Sequence, residues 1–353
     1  MQYTIKDLDN FLDIKSIWDS IADNTTNAWF WSTYAQYCFR ITVLKSAGNF
    51  IADDSFVLLK DGEPCGLAPL IFVKAISYNG IQAGYDMPLP FPMIIDSVGN
   101  YSETLDYVFD EIEKRCKANN IGMIKFIFSP PCTDTTSSKF ISELIFQRNF
   151  VDCSINSHCM EISSSTLHSV RKRYIRYVKK FQPKYQLTML DANNCYEDLA
   201  KEYMALHVKD SGKQNRPLAT YEGQISLIKN KEAVMVQAKN IQDNKIVGML
   251  IVSIYKKSAF DNSVAVDPDY TNHYISHLMK WKIIQYLHNE NILSYELGPS
   301  AEMPNYLLQP NKKNYGISHF KQGWSRDGMK KVFIIEKYYS KEAFQQVWLR
   351  KSE

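Results

Sequence analysis

The chain contains no Cys-x-x-Cys pair, and its seven cysteines are an odd number scattered along 353 residues. That pattern excludes an even disulfide framework and fits buried thiols in a reducing compartment. Long apolar runs are missing too. Val247-Gly248-Met249-Leu250-Ile251-Val252 is among the longest, far short of the roughly 20 residues that cross a bilayer. The opening, Met1-Gln2-Tyr3-Thr4-Ile5-Lys6-Asp7-Leu8-Asp9, lacks the basic start and apolar stretch of a secretory signal, so a cytoplasmic location is expected. No Gly-x-Ser-x-Gly elbow, P-loop or nucleotide-binding glycine fingerprint occurs, which sets aside hydrolase and kinase readings. A formal charge of +3 does not by itself argue for nucleic acid.

What is present is an ordinary globular composition, 45% hydrophobic and 22% charged, in a chain long enough for two cores. Leu8, Phe11, Leu12, Ile14, Ile17, Trp18 and Ile21 recur at helical steps, and a second such pattern runs from Trp31 to Ala47. Ser55 to Lys60 and Cys65 to Ala75 read as two strands joined by Asp61-Gly62-Glu63-Pro64, whose Asp-Gly and Pro suit a tight turn. Thr104 to Asn119 and Ser137 to Gln147 read as helices, with strands at Gly122 to Phe128 and Cys153 to Ile162. The remainder predicts helices from Asn194 to Lys209, Tyr221 to Lys229 and Tyr274 to Asn289. Strands are expected at Ala233 to Asn240, Lys245 to Lys256, Ser258 to Val266, Leu293 to Gly298 and Lys331 to Glu336, with a closing helix from Lys341. Two similar α/β halves, residues 1–164 and 165–353, each a mixed sheet flanked by helices, account for this rhythm most simply.

Leu167 to Lys184 sets Arg171, Lys172, Arg173, Arg176, Lys179 and Lys180 against Val170, Tyr174, Tyr177, Val178 and Phe181 at helical spacing. Such a basic amphipathic helix suits phosphates, nucleic acid or an anionic membrane face. A solvated helix packing its aromatic side on a neighbour is the alternative.

Several segments together resemble the FemA/FemB-type peptidoglycan bridge-forming transferases and their relatives, tandem versions of the acyl-CoA N-acyltransferase (GNAT) fold. Early in the chain these are Ile17-Trp18, Trp29-Phe30-Trp31-Ser32, Leu89-Pro90-Phe91-Pro92-Met93-Ile94-Ile95-Asp96 and Val170-Arg171-Lys172-Arg173-Tyr174-Ile175-Arg176. Later come Ala265-Val266-Asp267-Pro268-Asp269-Tyr270, Leu278-Met279-Lys280-Trp281, Tyr295-Glu296-Leu297-Gly298 and His319-Phe320-Lys321-Gln322-Gly323-Trp324. The resemblance spans most of the chain and implies two GNAT-like domains. No charged heptad segment matches the helical arm that tRNA-dependent members often carry.

In that superfold a neutral amine attacks an activated carbonyl directly, so the protein must position, deprotonate and stabilise an oxyanion. Lys321 stands where the family carries its important lysine, with Phe320 beside it. Arg216, in Lys213-Gln214-Asn215-Arg216-Pro217, resembles the arginine that holds an acceptor phosphate, a task suited to a planar fork; Tyr221 follows closely. Glu296 is a candidate base at a strand end, and Asp96, after a proline-rich loop, a candidate to orient the acceptor. A turn-capping role is the alternative for Asp96, helix capping for Glu296, and plain solvation for Lys321 and Arg216. Arg173 is a further substrate-binding candidate. The glycine-rich turn that cradles CoA pyrophosphate is replaced by Thr271-Asn272-His273-Tyr274-Ile275-Ser276-His277, which leaves helix-start amides with Asn272 and Ser276 to assist. His273 and His277 share a helix face but show no third ligand, and Cys153, His158 and Cys159, strand residues at that spacing, more often point to opposite faces or into a core, so no metal is expected.

Three functions stay open on this reading. The first is acyl transfer from acyl-CoA to an amine of an amino sugar, sugar nucleotide or other cell-envelope precursor. The second is tRNA-dependent aminoacyl transfer in peptidoglycan bridge formation. The third is a non-catalytic envelope-assembly protein that docks its basic helix on anionic lipid or a partner.

Overall fold

The computed structural model describes every residue except 1, 27, 76–77, 85–87, 133–134, 166–169, 302–311, 326–327 and 353. The chain divides into two compact units. Among the described residues, the first comprises those up to 156 and those from 331 onward, and the second those from 157 to 330.

In the first unit, Phe56–Lys60 and Glu63–Ala68 form the expected hairpin, turning at Asp61 and Gly62, both at positive φ. Tyr3–Asp7 and Met93–Ile94 extend it to four antiparallel strands. The single strand expected from Cys65 to Ala75 is two. Pro69, with no N–H to give a ladder, ends the first, and Ile71–Lys74 joins a different sheet with Phe50–Asp53 and Ile81–Ala83. The first helix begins at Ile14, not Leu8, because the Asp13 side chain accepts from the Ser16 N–H at 3.0 Å and fixes the N-terminus there. Asn100 caps the helix Tyr101–Ala118 in the same way. Phe56, Phe72, Phe109, Phe126 and Phe150 fill the core.

The division into two units differs from the expected break at 164/165. The strand Met329–Tyr338 pairs antiparallel with Ile121–Cys132, Phe333 opposite Phe128, and places Phe333 and Ile335 in the first unit's core. The closing helix Lys341–Ser352 puts Ala343 and Val347 against Met123 and Tyr78 of that unit. Hydrophobic alternation marks a strand but carries no record of the sheet it joins, so the return of the chain was not readable.

The second unit supplies the elements used below: β1 (Ile155–Glu161), α1 (Lys172–Phe181), β2 (Tyr185–Leu190), α2 (Leu199–Ser211), α3 (Leu218–Lys229), β3 (Ala233–Asn240), β4 (Ile246–Tyr255), β5 (Ser258–Val266), α4 (Ile275–Asn289), β6 (Ser294–Pro299) and α5 (Lys312–Gln322). The strand order is β2-β3-β4-β5-β6-β1. The first four strands are antiparallel, β5 and β6 are parallel across the α4 crossover, and β6 and β1 are antiparallel. Burial of β3 and β4 is nearly continuous along the strand, as a sheet covered on both faces requires. The basic helix observed in α1 is shorter than the stretch read from Leu167, whose first residues lie outside those described. It packs on α4 through Tyr174, Val178 and Phe181. Helix α5 was not foreseen: residues 313–317 and 319 are exposed, so it has no broad apolar stripe to announce it.

Candidate active site

Strands β5 and β6 pair over only three positions, Ser258 with Ser294, Ala259 with Tyr295 and Phe260 with Glu296, although β5 runs on to Val266 and β6 to Pro299. Each is bulged where it leaves its partner. Asn262 is an extra residue on β5 between the pairs Val252–Asp261 and Ile251–Ser263, and Leu297 is an extra residue on β6 between Cys159–Glu296 and His158–Gly298. Bulges bend a strand and re-aim its side chains. The outcome is a fork at the carboxyl ends of two parallel strands, where α/β sheets open ligand crevices.

Four charged side chains gather there. Glu296, only 8% exposed, accepts a 2.7 Å hydrogen bond from the Ser157 hydroxyl. Burial pushes its pKa up to about 7, against the pull of the Ser157 bond and the Lys321 charge. Lys321, on α5, donates to the Pro299 carbonyl at 3.3 Å. Burial lowers its pKa, Asp261 opposes that, Lys280 reinforces it, and Glu296 opposes it. Lys280, on α4 and 3% exposed, donates to Asp261 and, at 2.9 Å, to the Tyr295 hydroxyl. That hydroxyl in turn donates to Asp261 at 3.2 Å. Gly298 takes φ +94°, a conformation that favours glycine, and a Cβ there would lie 2.9 Å from the Lys321 ammonium nitrogen and displace it. Glycine is therefore what lets Lys321 lie across β6.

The sequence around Lys321 explains how α5 is held. Ser318, one turn earlier, meets the His158 ring nitrogen at 3.0 Å and the Ser300 hydroxyl at 3.2 Å. Trp324 is fully buried in the second core. A Cβ on Gly323 would stand 2.2 Å from the Tyr174 ring, and Tyr174 donates to the Phe320 carbonyl at 3.2 Å. Each member of Phe320-Lys321-Gln322-Gly323-Trp324 save Gln322 thus has a packing or polar reason to be what it is.

A second feature lies at the start of α4, a cleft of about 300 Å³ lined by Asp210, Val266, Pro268, Thr271, Ser276 and Phe320, among others. No side chain caps this helix end. Tyr274 holds a left-handed conformation there, φ +56°, with its ring stacked on Tyr177 at 3.7 Å. A backbone angle ordinarily given to glycine is kept by an aromatic clamp. His277 is surrounded by the rings of Tyr174, Tyr274 and Phe320, and burial, helped by Arg173, pushes its pKa down to about 4.

Among solved structures, FemX matches over 99% of this chain and 100% of its own, with a TM-score of 0.70 at 12% identity. The fold is that of FemX. The L-PGS structure from Bacillus licheniformis matches over 96% of this chain and 95% of its own, TM-score 0.59, 10% identity. A tandem GNAT protein from the clavulanic acid biosynthesis pathway matches over 87% and 95%, TM-score 0.50, 10% identity. No family profile matches the sequence, and no curated protein sequence does. The expected fold class, two GNAT-like α/β modules with mixed sheets between helices, is the one observed.

Within this FemX-like fold the candidates from sequence fall into separate places. Lys321 and Glu296 share the fork, while Phe320 and Ser276 line the cleft at α4; Asn272, in the preceding turn, does not line it. Arg173 is exposed and bonds the Tyr177 hydroxyl. Arg216 reaches the Ser263 hydroxyl at 3.4 Å, which Tyr203 also bonds at 2.7 Å, two residues along β5 from Asp261. Tyr221 is buried beneath it, edge-on to Tyr203 at 5.5 Å and near His207 at 5.8 Å. Asp96 belongs to the first unit and accepts from the Thr26 N–H at 3.0 Å and from its hydroxyl, a tie to a segment 70 residues earlier. Of the cysteine and histidine group, Cys153 lies in the first unit and His158 and Cys159 in the second, and among the described residues no cluster of three metal-ligating side chains occurs. No described helix is long and apolar enough to cross a membrane.

Asp261, Lys280, Tyr295 and Ser157 were missed from sequence. A signal existed for two of them. Lys280 interrupts the apolar stretch Leu278-Met279-Lys280-Trp281, and Asp261 sits inside a strand of apolar and small residues. A charge at an inward position is a marker of pairing or function.

Proposed function

We propose that the second unit catalyses direct acyl transfer from an activated donor to an amine at the fork between β5 and β6. The carrying observation is buried Glu296, two residues before Gly298 on β6, with the Lys321 ammonium against Gly298. The acceptor amine attacks the donor carbonyl, and the new C–N bond forms as the carbonyl electrons move to oxygen. Glu296, whose affinity for a proton is matched to neutral pH, takes the proton from the amine. Lys321 donates to the developing oxyanion. Collapse breaks the bond to the leaving group, a thiolate for an acyl-CoA donor, which takes the proton from Glu296.

Acyl-CoA is the donor this reading favours. It is supported by the uncapped start of α4, where free amides and Ser276 suit phosphate oxygens, and by the GNAT neighbour whose structure is described as lacking AcCoA. The acceptor is an amine of an amino sugar, sugar nucleotide or other cell-envelope precursor, with Arg216 placed to fork a phosphate. A second reading, an aminoacyl ester on tRNA, draws on the exposed Lys172, Arg173, Arg176, Lys179 and Lys180 of α1. A neighbour described as the C-terminal domain of a putative lysylphosphatidylglycerol synthetase (TM-score 0.55, 11% identity, 81% of this chain and 84% of its own) also supports it.

The test is incubation with labelled acetyl-CoA or with charged tRNA, each against a panel of amino sugar nucleotides and peptidoglycan precursors. Labelled amide from acetyl-CoA that survives ribonuclease supports the first donor. Ribonuclease-sensitive product supports the second. Absence of amide from either donor, or full cellular function after Lys321→Ala with Glu296→Ala, removes the catalytic reading in favour of envelope assembly.

A further inference from the structure

We infer that the first unit holds a binding site of its own for a small monocarboxylate, Arg40 meeting the carboxylate and an apolar cavity taking its chain. The inference goes beyond the proposed acyl transfer and does not depend on it. Arg40 lies on the helix Tyr34–Ser46 and forms part of the wall of a cavity of about 80 Å³. Phe39, Val43 and Leu44 of the same helix, Ile71 and Val73 of the strand Ile71–Lys74, and Leu89 supply the rest with the backbone of Gly84. Arg40 alone among these side chains is polar.

The Arg40 guanidinium is anchored at one corner. Its Nη1 donates to the Pro88 carbonyl at 2.8 Å, and the group stands over the Trp31 ring, 5.4 Å from the centroid. Nε and Nη2 are buried and have no hydrogen-bond partner among the described residues. Their N–H groups lie along one edge of the guanidinium, and such an edge matches the two oxygens of a carboxylate. Two other arginines of this unit show what a guanidinium receives here: Arg115 gathers Asp7, Asp54 and Glu111, and Arg148 gathers Asp106 and Asp110. Arg40 has no such partner among the described residues, and burial with nothing opposing it pushes its pKa down to about 10. A buried guanidinium without an anion is destabilising, so the partner is one that a ligand supplies.

The cavity selects among anions. One guanidinium among apolar side chains balances one negative charge, whereas a phosphate dianion would bring in a second that nothing in the wall answers. Among the described residues no carboxylate side chain lines the cavity, so the ammonium group of an amino acid would go unmet. A singly charged carboxylate on a short apolar chain fits both features.

The test is thermal unfolding of the purified full-length protein with sodium butyrate as the probe, at constant ionic strength and without any acyl donor. Butyrate is expected to raise the melting temperature as its concentration rises, and acetate to need about tenfold more, because two methylene groups fewer are buried. Butanol and inorganic phosphate at the same concentration are expected to give no rise. Arg40→Met should abolish the shift, and Arg40→Lys, which keeps the charge but not the paired donors, should weaken it about tenfold. Val43→Phe, which fills the cavity and leaves Arg40 in place, should remove the advantage of butyrate over acetate. Lys321→Met should keep the full shift, which separates this site from the fork. The inference is overturned by no shift in the wild type, by an equal shift from butanol or phosphate, by an undiminished shift in either Arg40 variant, by an unchanged advantage of butyrate in Val43→Phe, or by loss of the shift in Lys321→Met. Should Arg40→Met not fold, the wild-type series and Arg40→Lys decide. If butyrate binds as described while neither acyl donor yields amide, the site stands and the proposed reaction fails.

Discussion

Glu296 and Lys321 of the second unit are satisfied differently from the buried ion pairs of the first, although the second unit also pairs buried Lys280 with Asp261. In the first, Glu336 is 1% exposed and meets the Lys125 ammonium at 2.9 Å, with the Tyr338 hydroxyl donating to it. Arg115 likewise gathers Asp7, Asp54 and Glu111 at 2.7, 3.0 and 2.8 Å. Those charges answer one another. In the second unit, the hydrogen bonds of Glu296 and Lys321 go to a serine hydroxyl and a backbone carbonyl, and neither has an ion-pair partner among the described residues. A buried charge satisfied by an opposite charge belongs to the scaffold, whereas one satisfied only by neutral groups keeps its strength for a visitor.

The sharpest way to break that contrast is to remove one cation from each unit. Lys321→Met is expected to lower turnover by about 10²–10³-fold, the usual effect of losing one oxyanion donor, with circular dichroism unchanged. Lys125→Met is expected to do the reverse: activity per folded molecule persists, and urea unfolding shows a loss of about 3 kcal/mol, because buried Glu336 loses the Lys125 ammonium.

Glu296→Gln sharpens it further through pH. The native state holds the Glu296 proton up to about pH 7, while the unfolded chain releases it near 4.5, so wild-type stability falls between those values as pH rises. The glutamine variant should therefore be more stable than wild type by about 3 kcal/mol at pH 8 and no more stable at pH 4, while its turnover is lost. Gly298→Ala is a smaller perturbation. The positive φ and the 2.9 Å approach of Lys321 should together cost about 1–2 kcal/mol and move the ammonium, read as a loss of turnover larger than the loss of stability. Asn100→Ala in the first unit removes a helix cap and should cost about 1 kcal/mol with no kinetic effect.

Much of the fold was legible. The strands from Ala233 to Val266 and the helix that became α4 follow simple periodicities, and the Asp61-Gly62 hairpin carries its own turn chemistry. What escaped depended on partners distant in sequence. Pro69 divides what looks like one apolar strand, the Met329–Tyr338 strand crosses back to the first core, and α5 shows no apolar stripe because only a few of its residues meet the core. The site divides the same way. Lys321 and Glu296 could be named from motifs, while Asp261 and Lys280 stood out only as charges among apolar neighbours, and their pairing with each other appeared only in the fold. Asp96, named for its proline-rigid loop, holds Thr26.

The return of the last strand to the first unit also sets an order of events at the ribosome. Ile121–Cys132 is synthesised some two hundred residues before Met329–Tyr338, the strand that pairs along it. Until Met329–Tyr338 has been made, the nascent first unit exposes an unfilled β edge and lacks Phe333 and Ile335 from its interior. Such an edge invites wrong partners, so the early chain depends on delay or on a chaperone, and Met329–Tyr338 acts as the latch that ends its exposure.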